Sequence, residues 1–463
     1  MKKIVGLILL VFLSFGVHAS HIMGGEITWE CIKDPLDPDV GKYIFTMKLY
    51  RDCDGISLPT TNQTLNVWNH PTVTTISLQF ISNTDISPDC DVTNSGNPAL
   101  DCSTNPVGAV EEYIYQSLPV ALVGAPPISN PPTPTTHGWH FTWDSCCRNG
   151  AIVNLSTPSS DGFTMRASMF AYVDPFGNST PTDPCFDSSP IFNESPKTII
   201  CTGYPFSYTH NASDQEMDSL VYSWDEPLDD FFGAYNPPVT PGLLTYTPPY
   251  NANNPLPGNP SLNPQNGQIS YTSNLSGNFV TVVRVDAYKC NQLVAQIYRE
   301  IQAVLIACPP LAGGNANLPP NIPAPFPAPT PYYTSVAAGT QVSFNISASD
   351  ADLYAAGIPQ DVSLEITGGQ MAGDFITPTD CASPPCATFT DNLGNPPPFS
   401  SPTIVNGIFE WQTACTHIAS DAGCGNVSNI YNFAIKAYDD FCPANAITFA
   451  TITIEVTQAA SLP

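Results

Sequence analysis

The chain has 463 residues and carries 40 Asp and Glu against 13 Lys and Arg, a formal net charge of −27. So acidic a chain weighs against nucleic acid and against anionic membrane surfaces, which both need clustered cations. Its 49 prolines and scarce Lys, Glu and Arg weigh against long helices and favour short strands joined by turns.

Residues 1–19 read as a secretory signal peptide. Lys2 and Lys3 precede the apolar run Leu7 to Val17, and Val17-His18-Ala19 has the small-x-small pattern of a cleavage site. The run is too short to span a bilayer with margin, and no later run is long enough, so no direct membrane insertion is expected. About 440 residues remain, enough for roughly three domains. Fifteen cysteines in an exported chain point to disulfides. The odd number leaves one thiol free, paired between chains, or committed to a partner.

Residues 20–190 form the first expected unit, an N-terminal β-sandwich domain. In HIMGGEITWEC (His21–Cys31), Ile27, Trp29 and Cys31 point one way and Glu26, Thr28 and Glu30 the other, which is a strand. Tyr43, Phe45, Met47 and Leu49 repeat the alternation after a turn at 34–39. In a simple hairpin Cys31 and Cys53 would lie ~30 Å apart, which forbids a bridge between them. Further strands are expected at 72–81, 111–116, 138–143 and 163–172, with a Pro-rich loop at 124–135.

Two segments, 191–308 and 332–457, repeat each other. Gly203 through Asp214 matches Gly339 through Asp350 at one constant offset. Gly267–Thr272 then matches Gly407–Gln412, and Arg284–Cys290 matches Lys436–Cys442, with the offset growing at each step. About seven alternating strands per copy predict Ig-like or cadherin-like sandwiches. Residues 309–331 read as a stiff Pro-rich linker between the copies and 458–463 as a tail. The expected fold class is therefore all-β, with tandem β-sandwich domains stapled by disulfides.

The ordered series His21-Ile-Met-Gly-Gly-Glu-Ile-Thr-Trp-Glu-Cys31, Leu49-Tyr-Arg-Asp-Cys53-Asp-Gly55, Cys146-Cys147-Arg148-Asn149, Asp187-Ser-Ser-Pro190, Pro205-Phe-Ser-Tyr208 and Asp218-Ser-Leu-Val-Tyr222 resembles the N-terminal region of large secreted Bacteroidota surface proteins. Such proteins often carry Ig-like repeats and end in a gliding-motility-associated or type 9 secretion sorting domain. The resemblance covers roughly residues 21–225 and implies a surface adhesion, motility or structural role without catalysis. No sorting domain follows Val456, so the chain reads as a fragment or as leaving by another route.

Candidate site residues follow from the repeat. The loops carrying Asp350 and Asp352, and Asp439 and Asp440, lie at one end of an Ig-like sandwich. Asp214, Glu216, Asp218 and Asp286 are placed similarly in the first copy. Converging carboxylates suit calcium, which takes 6–8 oxygen ligands; the plainer reading is that Asp favours turns and solvent. His137, His140, Cys146 and Cys147 match no common zinc spacing, and a disulfide role suits the cysteines better. Adjacent cysteines on a strand point apart, so Cys146 and Cys147 are each expected to bond another partner, Cys185 being one candidate. No nucleophile elbow, His-Glu-x-x-His or phosphate loop occurs. The acid pairs Glu111-Glu112 and Asp229-Asp230 point apart on a strand, so no enzyme is expected.

Cys381–Cys386 and Cys415–Cys424 are expected as local bridges. Cys201 is expected to meet Cys290, and Cys442 to reach Cys308 and staple the repeats. Tyr246, Tyr250 and Tyr271 flank the Pro/Asn-rich loop 236–265 and are candidates for sugar or peptide recognition, against the plainer reading that they cover a sandwich edge. Together these features predict a secreted or cell-surface structural or adhesive protein whose partner is a surface glycan or protein. The alternative is an extracellular carbohydrate- or protein-binding module without catalysis.

Overall fold

The alternation at Ile27, Trp29 and Cys31 becomes the first strand, β1 (Ile22–Cys31). In the computed structural model, residues 22–128, 137–173, 185–196, 198–230, 233–236, 241–311, 313–371, 381–418 and 427–458 are described; the expected signal peptide, most of the expected tail and Cys424 lie outside them. Six more strands follow: β2 (Tyr43–Asp52), β3 (Gln63–Trp68), β4 (Thr75–Asp85), β5 (Val110–Ser117), β6 (Trp139–Cys146) and β7 (Gly162–Met169). A short helix α1 (Val92–Ser95) follows β4, capped by Asp91. The seven strands form one antiparallel sheet in the order β1-β2-β5-β4-β3-β6-β7. Its inward face carries Trp29, Phe45 and Phe141, whose rings lie 4.6–6.4 Å apart.

The next strands are β8 (Ile191–Phe192), β9 (Ile199–Cys201), β10 (Pro205–Thr209), β11 (Ala212–Ser213), β12 (Ser219–Trp224), β13 (Ser261–Leu262), β14 (Gln268–Thr272), β15 (Gly277–Lys289) and β16 (Gln292–Ile306). β10, β14 and β13 make one sheet and β12, β15, β16 and β9 the other. β16 is 15 residues long and serves two units. Along one edge it pairs with β15. Along the other it takes β7 at Ala295–Ile297, β1 at Arg299–Ile301 and, in parallel, β9 at Val304–Ile306. Both ends of the N-terminal sheet thus dock on β16, which closes the sheet on itself and covers edges that would otherwise attract other chains.

This corrects the expectation of a separate sandwich over 20–190. There is no break at 190, because the first unit borrows a strand from the second. The first glycine in HIMGGE is explained by the same contact, and the second, Gly25, by the close approach of Met165 and the Lys48 carbonyl. A Cβ on Gly24 would lie 2.0 Å from the Glu300 carbonyl oxygen, so only glycine admits β16 at that distance.

The last strands are β17 (Tyr333–Ala337), β18 (Gln341–Ser349), β19 (Asp361–Thr367), β20 (Thr388–Thr390), β21 (Phe399–Pro402), β22 (Ile404–Gln412), β23 (Ser428–Tyr438) and β24 (Ile447–Thr457). They form a sandwich of a five-stranded sheet, β17-β24-β23-β19-β21, and a three-stranded one, β18-β22-β20. The two repeats share their pairing register. Pro205 lies opposite Thr272, and the equivalent Gln341 opposite Gln412. β9 runs parallel to β16 as β17 does to β24. The protein is therefore all-β, with two tandem sandwiches behind an N-terminal sheet.

The linker 309–331 is not a free spacer. Leu311 packs with Tyr354 and Phe441, Ile322 enters the core of the second repeat, and Asn321 exchanges backbone hydrogen bonds with Ser349. Pro-rich sequence set its extended form, but its apolar residues found a surface to cover. The second repeat also packs on the rest of the chain: Ala444, Ala446, Ile447 and Phe449 belong to the main core, and Phe449 meets the Tyr208 ring edge-on at 5.5 Å.

Six disulfides occur among the described residues: Cys31–Cys185, Cys53–Cys102, Cys90–Cys442, Cys146–Cys147, Cys201–Cys308 and Cys381–Cys386. The expected Cys381–Cys386 bridge is present. Cys201 bonds Cys308 rather than Cys290, because β9 runs parallel to the end of β16 and Cys308 follows that end. Cys290 lies at the opposite end of β16, where its sulfur contacts the Tyr172 hydroxyl at 3.2 Å. Cys442 does staple units together, but through Cys90 of the N-terminal unit and not through Cys308. Cys146 and Cys147 bond each other, against the expectation that each bonds a different partner. Cys185 goes to Cys31. Cys415 is exposed and forms no disulfide among the described residues; its expected partner Cys424 lies outside them.

Candidate functional site: acidic loop clusters of the two repeats

In the second repeat, the loop after β18 and the loop after β23 do meet. Asp350 Oδ1 accepts the Asp352 amide at 2.8 Å, a local turn that an Asp side chain favours. Asp439, 1% exposed, accepts the amides of Phe441 and Ala446, both at 3.0 Å, and the side-chain amide of Asn317 at 2.6 Å. Gln360 Nε2 donates to Asn317 Oδ1 at 2.7 Å. Asp440 accepts from the Tyr354 hydroxyl at 2.7 Å, and Asp352 from the Leu318 amide at 2.7 Å. The linker therefore closes this end of the repeat.

Two buried oxygens in this group have no hydrogen-bond partner: Asp350 Oδ2 and Gln360 Oε1. Gln360 is 0% exposed, and an unmet buried acceptor costs about 1–3 kcal/mol. Burial pushes Asp439 well above the ordinary carboxylate range, against its hydrogen bonds, with the Asp350 charge adding to the rise. Burial likewise lifts Asp350 to about 6, with Asp352 and Asp440 contributing. The described Lys and Arg side chains pair with acids elsewhere. The group is thus rich in hard oxygen donors and short of positive charge, the composition that suits calcium. Among the described residues, no three His, Cys, Asp or Glu stand preassembled as a metal cage.

In the first repeat, Asp214, Glu216 and Asp218 also converge. Asp214 Oδ1 accepts the amides of Glu216 at 2.9 Å and Asp218 at 3.0 Å, repeating the Asp350 turn. Asp286 does not join them. It pairs with Arg284 at 2.9 Å and accepts from Gln296, on a network with Asp225 and Arg166. The fourth acid is Asp187, 0% exposed, whose two carboxylate oxygens lack hydrogen-bond partners. Two lysines enter this cluster. Lys289 lies 3.3 Å from Asp218, and Lys33 pairs with Glu216. Burial pushes Asp187 and Asp214 well up and Lys289 pulls both back. The calcium expectation for Asp214, Glu216, Asp218 and Asp286 is therefore corrected: one acid lies elsewhere, and an ammonium already stands among the rest.

Asp187, Lys289, Asn317 and Gln360 were not singled out by sequence. Asp187 sits in the Asp-Ser-Ser-Pro motif, whose serines show what that motif does. Ser189 Oγ accepts the Trp29 amide at 2.8 Å and Ser188 Oγ the Cys31 amide at 3.1 Å, pinning β1. The arginines of the other motifs are likewise buried anchors: Arg51 pairs with Glu111, and Arg148 with Glu300.

The three tyrosines pack against the sandwich, Tyr271 buried and Tyr246 and Tyr250 half-buried. Tyr271 is buried against Phe206 at 5.4 Å, Tyr250 packs on Phe279 at 5.5 Å, and the Tyr246 hydroxyl is buried. His140 shares a hydrogen bond with Ser168 at 2.7 Å, and the neighbouring cysteines are bonded to each other, which leaves no zinc set there. Asp229 accepts the Gly162 amide, and Glu112 lies 3.7 Å from Lys48. No helix among the described residues is long and apolar enough to cross a membrane.

No protein-family model matches the chain, and no curated protein does. Solved structures give distant likenesses. A chimeric titin Z1Z2-Z1Z2 tandem functionalised with a GRGDS peptide from fibronectin is 13% identical over 59% of this chain and 100% of its own, with a TM-score of 0.17. Drosophila N-cadherin EC1-3 is 12% identical over 69% and 89%, with a TM-score of 0.18. The N-terminal four Ig domains of a Dscam1 isoform are 9% identical over 94% and 91%, with a TM-score of 0.14. These scores are too low to transfer anything from those proteins.

Proposed function

We propose that the chain is a secreted or cell-surface structural and adhesive protein, and that it binds calcium at the loop end of its second repeat. The observation that carries the reading is the Cys90–Cys442 bridge, which welds units 352 residues apart in sequence. Such bridges persist in oxidising, extracellular surroundings, and this one turns successive β-units into one stiff body. Stiffness over length is what a surface spacer or adhesin needs. The resemblance of residues 21–225 to N-terminal regions of Bacteroidota surface proteins supports placement at such a surface, with gliding or attachment as the process served.

Calcium would be held by Asp350, Asp352, Asp439 and Asp440 with Gln360, and would supply the positive charge the group lacks. The partner is a surface protein or glycan; the packed tyrosines favour protein.

Protease shaving of intact source cells tests the location: loss of the full-length band from otherwise intact cells is expected, and complete protection refutes it. Equilibrium dialysis tests the ion: wild type should bind calcium and Asp439→Asn should not. Equal binding by both would place any ion elsewhere.

A further inference from the structure

The two repeats allow a residue-by-residue comparison at the acidic loops. In sequence, matching Arg284–Cys290 with Lys436–Cys442 sets Lys289 opposite Phe441. Strand pairing gives a different equivalence. Tyr288 lies across from Ser219 and Tyr438 across from Ser363, with Ala287 opposite Leu220 and Ala437 opposite Leu364. Tyr288 and Tyr438 are thus the same position, and the residues that follow them, Lys289 and Asp439, are equivalent. The other side of the cluster matches too, because Asp214 and Asp350 make the same turn to Glu216 and Asp352.

We infer that Lys289 is a built-in replacement for the cation, so that the chain binds calcium in its second repeat and not in its first. This rests on the calcium reading of the second repeat. Lys289 is 2% exposed and has entered a pocket of carboxylates in which Asp187 has no hydrogen-bond donor. A lysine buried so deeply is rare unless paired. Its ammonium does the electrostatic work of an ion, and a divalent cation beside it would be repelled. Where the second repeat has Asp439, that fixed positive charge is exchanged for a further negative one, and the site needs charge from solution. The first repeat, which shares β16 with the N-terminal unit, is locked whatever the calcium supply. In the second repeat the acidic loops are neutralised only when calcium is present, while the Cys90–Cys442 bridge and the burial of Phe449 hold the repeat docked in either case.

The test is calcium stoichiometry on the full chain by equilibrium dialysis, for wild type, Lys289→Asp and Lys289→Met. Wild type is expected to bind about one ion, lost in Asp439→Asn, and Lys289→Asp about two, the buried ammonium of the first repeat being exchanged for a carboxylate while Lys33 stays paired with Glu216. Two ions on wild type, one of them lost in Asp214→Asn, overturn the inference and leave the second-repeat site standing. No ion on wild type but one on Lys289→Asp keeps Lys289 as the replacement for a cation in the first repeat and overturns the claim that the second repeat binds calcium. No gain in either lysine variant overturns the inference. If Lys289→Asp does not fold, Lys289→Met, which keeps the stem length, is read by melting. Calcium is then expected to raise its Tm by more than it raises that of wild type, and an equal rise overturns the inference.

Discussion

Removing the Cys90–Cys442 bridge, as Cys90→Ala/Cys442→Ala, should cost about 5 kcal/mol. Loop-closure entropy for 352 residues comes to about 6 kcal/mol at 25 °C. The Cys31–Cys185 and Cys201–Cys308 bridges bypass much of that loop. Because the entropy is logarithmic, halving the loop removes only about 0.6 kcal/mol. The second repeat should stay docked, since Phe449 remains in the main core, Asp91 N still reaches Asp440 O at 2.7 Å and Asn445 Nδ2 still reaches Asp89 O at 3.0 Å. The expected result in guanidinium is a lower midpoint with a slope equal to or steeper than that of wild type, because the unbridged chain unfolds to a less restricted and more exposed ensemble. Tryptophan fluorescence reports both units, through Trp29 and Trp139 in the first and Trp411 in the last. A loss under about 1 kcal/mol would show that the bridge restrains nothing. Two separate transitions would show that docking depends on the bridge alone.

Glu26→Gln leaves Arg299, 1% exposed, as an uncompensated buried charge and should cost about 3–5 kcal/mol in denaturant; adding Arg299→Met should recover part of it, and no recovery would mean the pair is not the cause. Gly24→Ala should abolish the soluble folded protein, since its Cβ meets the Glu300 carbonyl oxygen, whereas Gly96→Ala, with no atom within 4 Å, should lose only about 1–2 kcal/mol; equal losses would refute the close-approach argument. Burial raises the Asp187 carboxyl, with neighbouring acids adding and Lys289 opposing, so the native state holds an extra proton. Its contribution is then lost as pH rises from about 4 through the raised value. Asp187→Asn should flatten that part of the stability–pH curve, and an unchanged curve would show that Asp187 does not titrate there.

Short-range chemistry was legible in the sequence. Alternation at Ile27, Trp29 and Cys31 gave β1, and the repeat gave matching sandwiches, because side-chain period and turn residues are local properties. What escaped was anything set by a distant segment. Glu26 looked like the second face of a strand, but that face is covered too, and Arg299 across the β1–β16 contact is what makes its burial tolerable. The Cys201 partner depended on which end of β16 lies near β9. The calcium set included Asp286 because its sequence position fits, but its side chain belongs to Arg284. Lys289 was misplaced by a two-residue difference in loop length, which only the strand register reveals.

The sharing of β16 has a consequence for synthesis. The chain emerges from its N-terminus, and the seven strands that end at Met169 cannot seal until residues 295–301 have appeared. In the interval β1 and β7 present bare edges, the state most open to pairing with the wrong chain. The first unit therefore cannot mature alone, and a cut near residue 190 would leave an open sheet rather than a smaller working piece.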